Sequence, residues 1–256
     1  KDIVEEVTEY FGNSGESPES PSVAKLINPQ SDDVAVKGGL PMVRPARDVF
    51  HWKVFSRTTM GPLGIAKKFF LWVDEVGGFL VCPQPTVTLG HLDSSEADVT
   101  ISGDLEGRHL TLMREDDLYV LEAHGPVCVN GRPVQRTILP ERCVLDLGNR
   151  IQLQFLRPHP LSASARIDFV SGHRTVPSTD GILLMARNLI LGPQNTSHVV
   201  CRHWKEPLML YWAGDALRCR GSGLLTLDGK AVRGEVTLTL GSHVEGAGWR
   251  FHLEPA

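Results

Sequence analysis

The spacing of apolar positions changes once along the chain. In the opening stretch "KDIVEEVTEYF", Ile3, Val4, Val7, Tyr10 and Phe11 recur at helical spacing, with acidic residues between them. This predicts a short amphipathic helix whose apolar stripe is suited to a partner's groove. On its own, a helix below about 12–15 residues is marginal in water. The next stretch, "GNSGESPESPS", has the composition of a flexible linker, and low hydrophobicity continues to about Lys37. From about Phe50 the chain becomes a series of short apolar runs separated by turns. In "VLDLGNRIQLQF", Ile151, Leu153 and Phe155 alternate with Gln152 and Gln154, which reads as a half-buried strand after a tight turn. "VCVNGRPV" places Asn130-Gly131 between two apolar runs, a hairpin signal, because both turn residues must tolerate positive φ. "LTLMREDDLYVLEA" predicts a second hairpin, with polar Arg114–Asp117 joining two strands. No long helical period follows residue 50, so the predicted class is all-β, built as sandwiches.

The runs also repeat. "TVTLG" (86–90) recurs as "NLILG" (188–192), and "VNGRPV" (129–134) as "LDGKAV" (227–232). "VLDLGNRIQLQF" is matched with "VTLTLGSHVEGAGWRFHL", Gly148 against Gly241, and the exits "LRP" and "LEP" follow. The first Gly and the hairpin Gly lie 41 residues apart in one copy and 37 in the other, which reads as trimmed loops on a kept frame. The reading is three segments: a helix and flexible tail over 1–49, a sandwich over 50–160 and a second, more divergent one over 161–256.

Composition narrows the function classes. The chain has 256 residues, 41% hydrophobic and 22% charged, with a formal net charge of -4. That is enough apolar material for a core, and the acidic balance disfavours a nucleic-acid partner. No apolar run reaches the roughly 18 residues of a membrane span. The five cysteines, 82, 128, 143, 201 and 219, form no CxxC and read as reduced, mostly buried thiols of a cytoplasmic protein. Ser-x-x-Lys, GxSxG and HExxH are absent, so no hydrolase is supported and the chain is read as a non-enzyme. "RCRGSG" (218–223) reads as a solvated basic loop.

The order "VTLG", "ADVTI", "DLEGRHLTL", "LYVLE", "VNGRPV" and "LDLGNRIQLQF" across 69–158 resembles the forkhead-associated (FHA) domain family, and the tandem layout is similar to bacterial FHA-containing proteins. The resemblance implies an eleven-stranded β-sandwich, without enzymatic activity, that binds phosphothreonine peptides through loops at one end. It also implies a site, and the residues here depart from it. Where the family has an Arg fork after "LG", this chain has His91; where it has a Ser three residues before the motif His, it has Glu106. The family's peptide-holding Asn falls in "EAHGPV", nearest His124 and Gly125. The motif His109 is kept, with Arg108 beside it, and in the family that His braces the loops. Asn130 and Gly131 are the structural turn, not the binding Asn. In the second copy Gly192 is followed by Pro193 and no Ser-x-x-His appears.

His91, His109 and His124 are metal-capable side chains, but their spacing fits no established motif, and no metal or cofactor is expected. The expectation is therefore a protein-binding scaffold or assembly subunit, with no small-molecule ligand. Its alternative is a signalling adaptor that still reads phosphorylated or acidic peptides through the loops of the first sandwich.

Overall fold

The computed structural model describes residues 68–256. The helix expected at 1–11, with Ile3, Val4, Val7, Tyr10 and Phe11, and the tail behind it lie outside the described residues. The described chain is all-β.

The first half contains β1 (Phe69–Val73), β2 (Gly77–Cys82), β3 (Thr86–His91), β4 (Val99–Ile101), β5 (Leu110–Glu115), β6 (Leu118–Ala123), β7 (Val127–Val129), β8 (Arg132–Pro133), β9 (Arg136–Ile138), β10 (Arg142–Leu147) and β11 (Ile151–Leu156). The second half contains β12 (Ala165–Phe169), β13 (Gly181–Leu184), β14 (Asn188–Gly192), β15 (Val199–Val200), β16 (Leu208–Ala213), β17 (Ala216–Leu227), β18 (Lys230–Thr237), β19 (His243–Gly246) and β20 (Trp249–Pro255). A small sheet runs β4-β3-β5-β6-β9. A large one runs β15-β14-β16-β17-β19-β20-β1-β2-β13-β12-β11-β10-β7-β8, with β18 beside β17.

The halves exchange strands. β11, the last strand of the first half, pairs with β12, the first strand of the second. β20, the last strand of the second half, pairs with β1, the first described strand. β2 and β13 then lie parallel, Leu80 beside Ile182 and Val81 beside Leu183, and join the two halves. Side chains alternate between faces along a strand. Phe70, Leu80, Cys82, Ile182 and Leu184 enter one core, shared with the small sheet. Phe69, Leu71, Val73, Phe79, Val81, Leu183 and Met185 enter the other. Strands buried on both faces read as continuous apolar runs rather than alternating ones, which explains "FFLWV", "GFLVC" and "GILLM".

One turn-to-strand hydrogen bond occurs in both halves. Asn130 (φ 51) and Asp228 (φ 49) each precede a positive-φ glycine, Gly131 or Gly229. The Asn130 side chain accepts from Val144 N–H at 2.9 Å and that of Asp228 from His243 N–H at 2.8 Å. These bonds correct the expected alignment of the last segment. Val144 corresponds to His243, so the β10–β11 turn at Gly148 matches Ala247-Gly248, not Gly241, and Phe155 rather than Leu156 matches Leu253. Two local expectations also change. Arg114 and Glu115 continue β5, paired with Tyr119 and Leu118, so the turn is Asp116-Asp117 alone. "RCRGSG" is not a loop but part of β17, whose pairing with β18 shifts register between Arg220 and Leu224.

The strand exchange predicts one cooperative unfolding transition for the described region. Leu71 is fully buried, and Leu71→Ala should cost about 3 kcal/mol. It should lower the midpoints followed by Trp fluorescence and by near-UV signals of Tyr119 together. Two separated transitions, only one of them shifted, would contradict the shared central strands.

Candidate functional site

At one end of the first sandwich three loops meet over the buried imidazole of His109, which is 1% exposed. Its Nδ1 accepts from the Glu106 N–H at 3.2 Å, which leaves the ring proton on Nε2 to donate to the Pro126 carbonyl at 3.1 Å. Its own carbonyl accepts from the N–H groups of His124 and Gly125. One histidine thus ties the loop before β5 to the loop after β6. Burial, against the Pro126 hydrogen bond, holds this imidazole below its ordinary pKa, in keeping with the neutral ring that the two bonds require. Two close approaches fix the glycines. A Cβ at Gly90 would overlap the Gly107 carbonyl, and one at Gly125 would overlap His109 Nδ1.

The loops enclose an open cleft of about 660 Å³ whose lining includes His91, Arg108 and His124 together with Asp93, Glu96, Asp104 and Glu106. His91, Arg108 and His124 have local engagements. His91 donates its backbone N–H to the Glu106 carbonyl, and its Nδ1 accepts from the Asp93 N–H. Arg108 donates to the Thr111 hydroxyl from Nε at 3.4 Å and from a terminal nitrogen at 3.3 Å. That same hydroxyl lies 3.0 Å from His124 Nε2. The cleft therefore carries four carboxylates against one permanent cation. His91, Arg108, His124 and Glu106 are brought together there; His109 lies beneath, and Gly125 packs on its ring. Asn130 and Gly131 sit at the β7–β8 turn and do not line the cleft. The carboxylates of Asp93, Glu96 and Asp104 escaped the sequence reading, because they lie on loops with no periodicity to mark them.

The second half builds the corresponding loop with other chemistry. Leu110 pairs with Leu89, and Leu208 with Leu191. By that register Trp204 replaces Glu106, Glu206 replaces Arg108 and Pro207 replaces His109. Trp204 is buried and stacks on Trp249, ring centroids 5.1 Å apart. Another exchange is conservative in geometry. Asp98 accepts from the Thr88 N–H at 2.9 Å through its carboxylate, while His198 accepts from the Ile190 N–H at 2.9 Å through Nδ1. His198 is fully buried and its Nε2 has no partner.

Among the described residues no three His, Cys, Asp or Glu side chains are placed to hold a metal ion. All five thiols are free, with Cys128 half-buried and the others buried. Burial pushes Cys82, Cys201 and Cys219 up to about 12 and Cys143 to about 11, so these four are inert thiols at neutral pH. Also among the described residues, no helix is long and apolar enough to cross a membrane.

No family model matches the chain, and no curated protein matches it. A solved structure described as the Rv0020c FHA structure is similar to it. The two are 21% identical over 32% of this chain and 84% of that one, with a TM-score of 0.25. A superposition of that quality places no individual residue of the cleft.

Two measurements follow. Gly125→Ala must displace His109 and should cost about 1–3 kcal/mol, while exposed Gly131→Ala, which meets no atom within 4 Å, pays only for its backbone. His198 supplies a pH dependence. Burial, with His159 adding to it, lowers its pKa to about 4, below the unfolded value of about 6.5. The unfolded chain then binds the extra proton first, so stability is complete above about 6.5 and is lost as pH falls toward 4, by on the order of 3 kcal/mol. His198→Asn keeps an acceptor for Ile190 and should flatten that part of the denaturation-versus-pH curve. An unchanged slope would remove His198 from the account.

Proposed function

We propose that the chain is a non-catalytic protein-interaction module, an assembly scaffold whose FHA-like frame no longer reads phosphothreonine. The charge of the loop cleft carries this reading. Asp93, Glu96, Asp104 and Glu106 line it against Arg108, and the Arg108 guanidinium is already engaged with Thr111. A phosphate bearing about -1.5 to -2 charges would meet four carboxylates there against a single guanidinium. A rigid sandwich with variable loops suits a constitutive protein contact. In this reading residues 1–49 are an appendage whose stripe of Ile3, Val4, Val7, Tyr10 and Phe11 engages a partner, and 50–160 and 161–256 are the two sandwich units. The protein is cytoplasmic and needs no cofactor, nucleic acid or small molecule.

A second reading, an adaptor for phosphorylated or acidic peptides, draws on His91, His124 and Arg108 sharing the cleft. Calorimetry with a phosphothreonine peptide library and its unphosphorylated counterpart separates the two. We expect no phosphate-dependent binding. Micromolar binding that vanishes on dephosphorylation and falls with His91→Ala or Arg108→Ala would establish the adaptor. If the parent is silent, His91→Arg with Glu106→Ser should bring phosphate binding to the first sandwich, since each charge-assisted hydrogen bond gained is worth about 1.5–3 kcal/mol.

A further inference from the structure

The two halves carry opposite charge. Residues 68–160 hold thirteen Asp and Glu against eight Lys and Arg, whereas residues 161–256 hold eight Asp and Glu against ten Lys and Arg. The contrast is sharpest in the loop before β5 and its counterpart before β16. In the first half that loop brings Asp104 and Glu106 to the open cleft, where Asp93 and Glu96 join them. In the second half the stretch Arg202-His203-Trp204-Lys205 stands in its place. Trp204 is buried and stacked on Trp249, while Arg202, His203 and Lys205 are exposed on either side of it. The indole thus pins a loop whose basic side chains reach solvent. Among the described residues neither Arg202 nor Lys205 enters an ion pair, and neither do Glu96, Asp104 and Glu106.

We propose that the basic loop around Trp204 in one copy of the chain docks in the acidic loop cleft of a second copy. The proposal rests on the interaction-module reading, which takes the cleft as a protein-binding surface, and names its occupant. Charge and form both select that occupant. The cleft is concave, about 660 Å³, with four carboxylates around the single guanidinium of Arg108, so it suits an entering cation rather than an anion. The loop presents two permanent cations, Arg202 and Lys205, on the two sides of one fixed indole. Opposed patches of this kind steer encounter and reject like-charged partners. A loop already held by its buried Trp204 loses little further freedom on docking. Pairing within one chain is not what the structure forms. Leu105 of the cleft loop packs on one core and Trp204 lies in the other, and no ion pair joins the two loops. Each copy offers one loop and one cleft, so two copies about a two-fold axis make the contact twice, and without closure it propagates.

The test is analytical ultracentrifugation of the tag-free full chain over a rising concentration series. It is run in about 0.1 M and about 1 M salt, between which the Debye length shrinks from about 10 Å to about 3 Å. We expect association that strengthens with concentration at the lower salt and is lost at the higher. Arg202→Glu with Lys205→Glu reverses the loop, and Asp104→Lys with Glu106→Lys reverses the cleft. All four positions are exposed. Each reversed chain should associate at least about tenfold more weakly. An equimolar mixture of the two should associate again, because each then offers the patch the other lacks, and this recovery shows that both variants are folded. The chain carrying all four changes should recover self-association for the same reason. Lys230→Glu, exposed at the β17–β18 turn, should change nothing. A parent that stays monomeric throughout overturns the proposal, as does association that survives either reversal, or a mixture that stays monomeric. None of these results bears on phosphothreonine binding, which the peptide calorimetry decides, so failure here is distinct from failure of the scaffold reading.

Discussion

Burial of β1, β2 and β13 on both faces is the constraint from which the rest of the fold follows. A strand with one apolar face can be satisfied by one partner layer. Phe69, Leu71 and Val73 point to one core while Phe70 points to the other, and the same division runs through Phe79–Cys82 and Ile182–Met185. Each fully buried Leu or Phe contributes about 1.5–3 kcal/mol, and neither half alone supplies both covers. The pairing of β11 with β12 and of β20 with β1 follows, because only the other half's hairpin completes each sheet. The two copies therefore behave as one body although the sequence presents them in series.

With the middle fixed in this way, the loop end is free to diverge. In the first half a neutral buried His109 holds the loops through backbone bonds; at the matching place the second half uses Trp204 stacked on Trp249. These solutions share no side-chain chemistry, only a position on the frame. The cleft above His109 is likewise filled by residues whose engagements are local, Arg108 with Thr111 and His91 with Asp93. The guanidinium of Arg108 stands there among four carboxylates.

Much of the strand frame was legible in the sequence. The alternation in "VLDLGNRIQLQF" fixes which side chains face a core, and Asn130-Gly131 fixes a turn, because both signals are local. Strand partners were not legible, since periodicity names a face and never a neighbour. The exchange between halves was invisible for that reason. So was the slip that set Gly148 against Gly241: both follow an apolar strand, and only the bonds from Asn130 and Asp228 give the register. "RCRGSG" misled through its glycines, which the register shift in β17 absorbs without a loop. In the cleft, His91, Glu106 and Arg108 were reachable through the family resemblance, whereas Asp93, Glu96 and Asp104 needed three dimensions.

The pair Asp98 and His198 shows why function has to be sought in the loops and outer faces rather than in the fold. Both side chains accept one backbone N–H at 2.9 Å, at corresponding points of the two halves. One is a carboxylate and the other an imidazole with an unpartnered Nε2. The frame asks only for an acceptor at that spot, so the chemical difference is tolerated where it costs stability and confers nothing on a surface. Where the frame asks for nothing, at His91, Glu106 and Glu206, charge has changed freely between the copies. A likeness of frame therefore carries no recognition chemistry by itself. In the loop cleft that chemistry is four carboxylates around one guanidinium, which donates to the Thr111 hydroxyl of its own sheet.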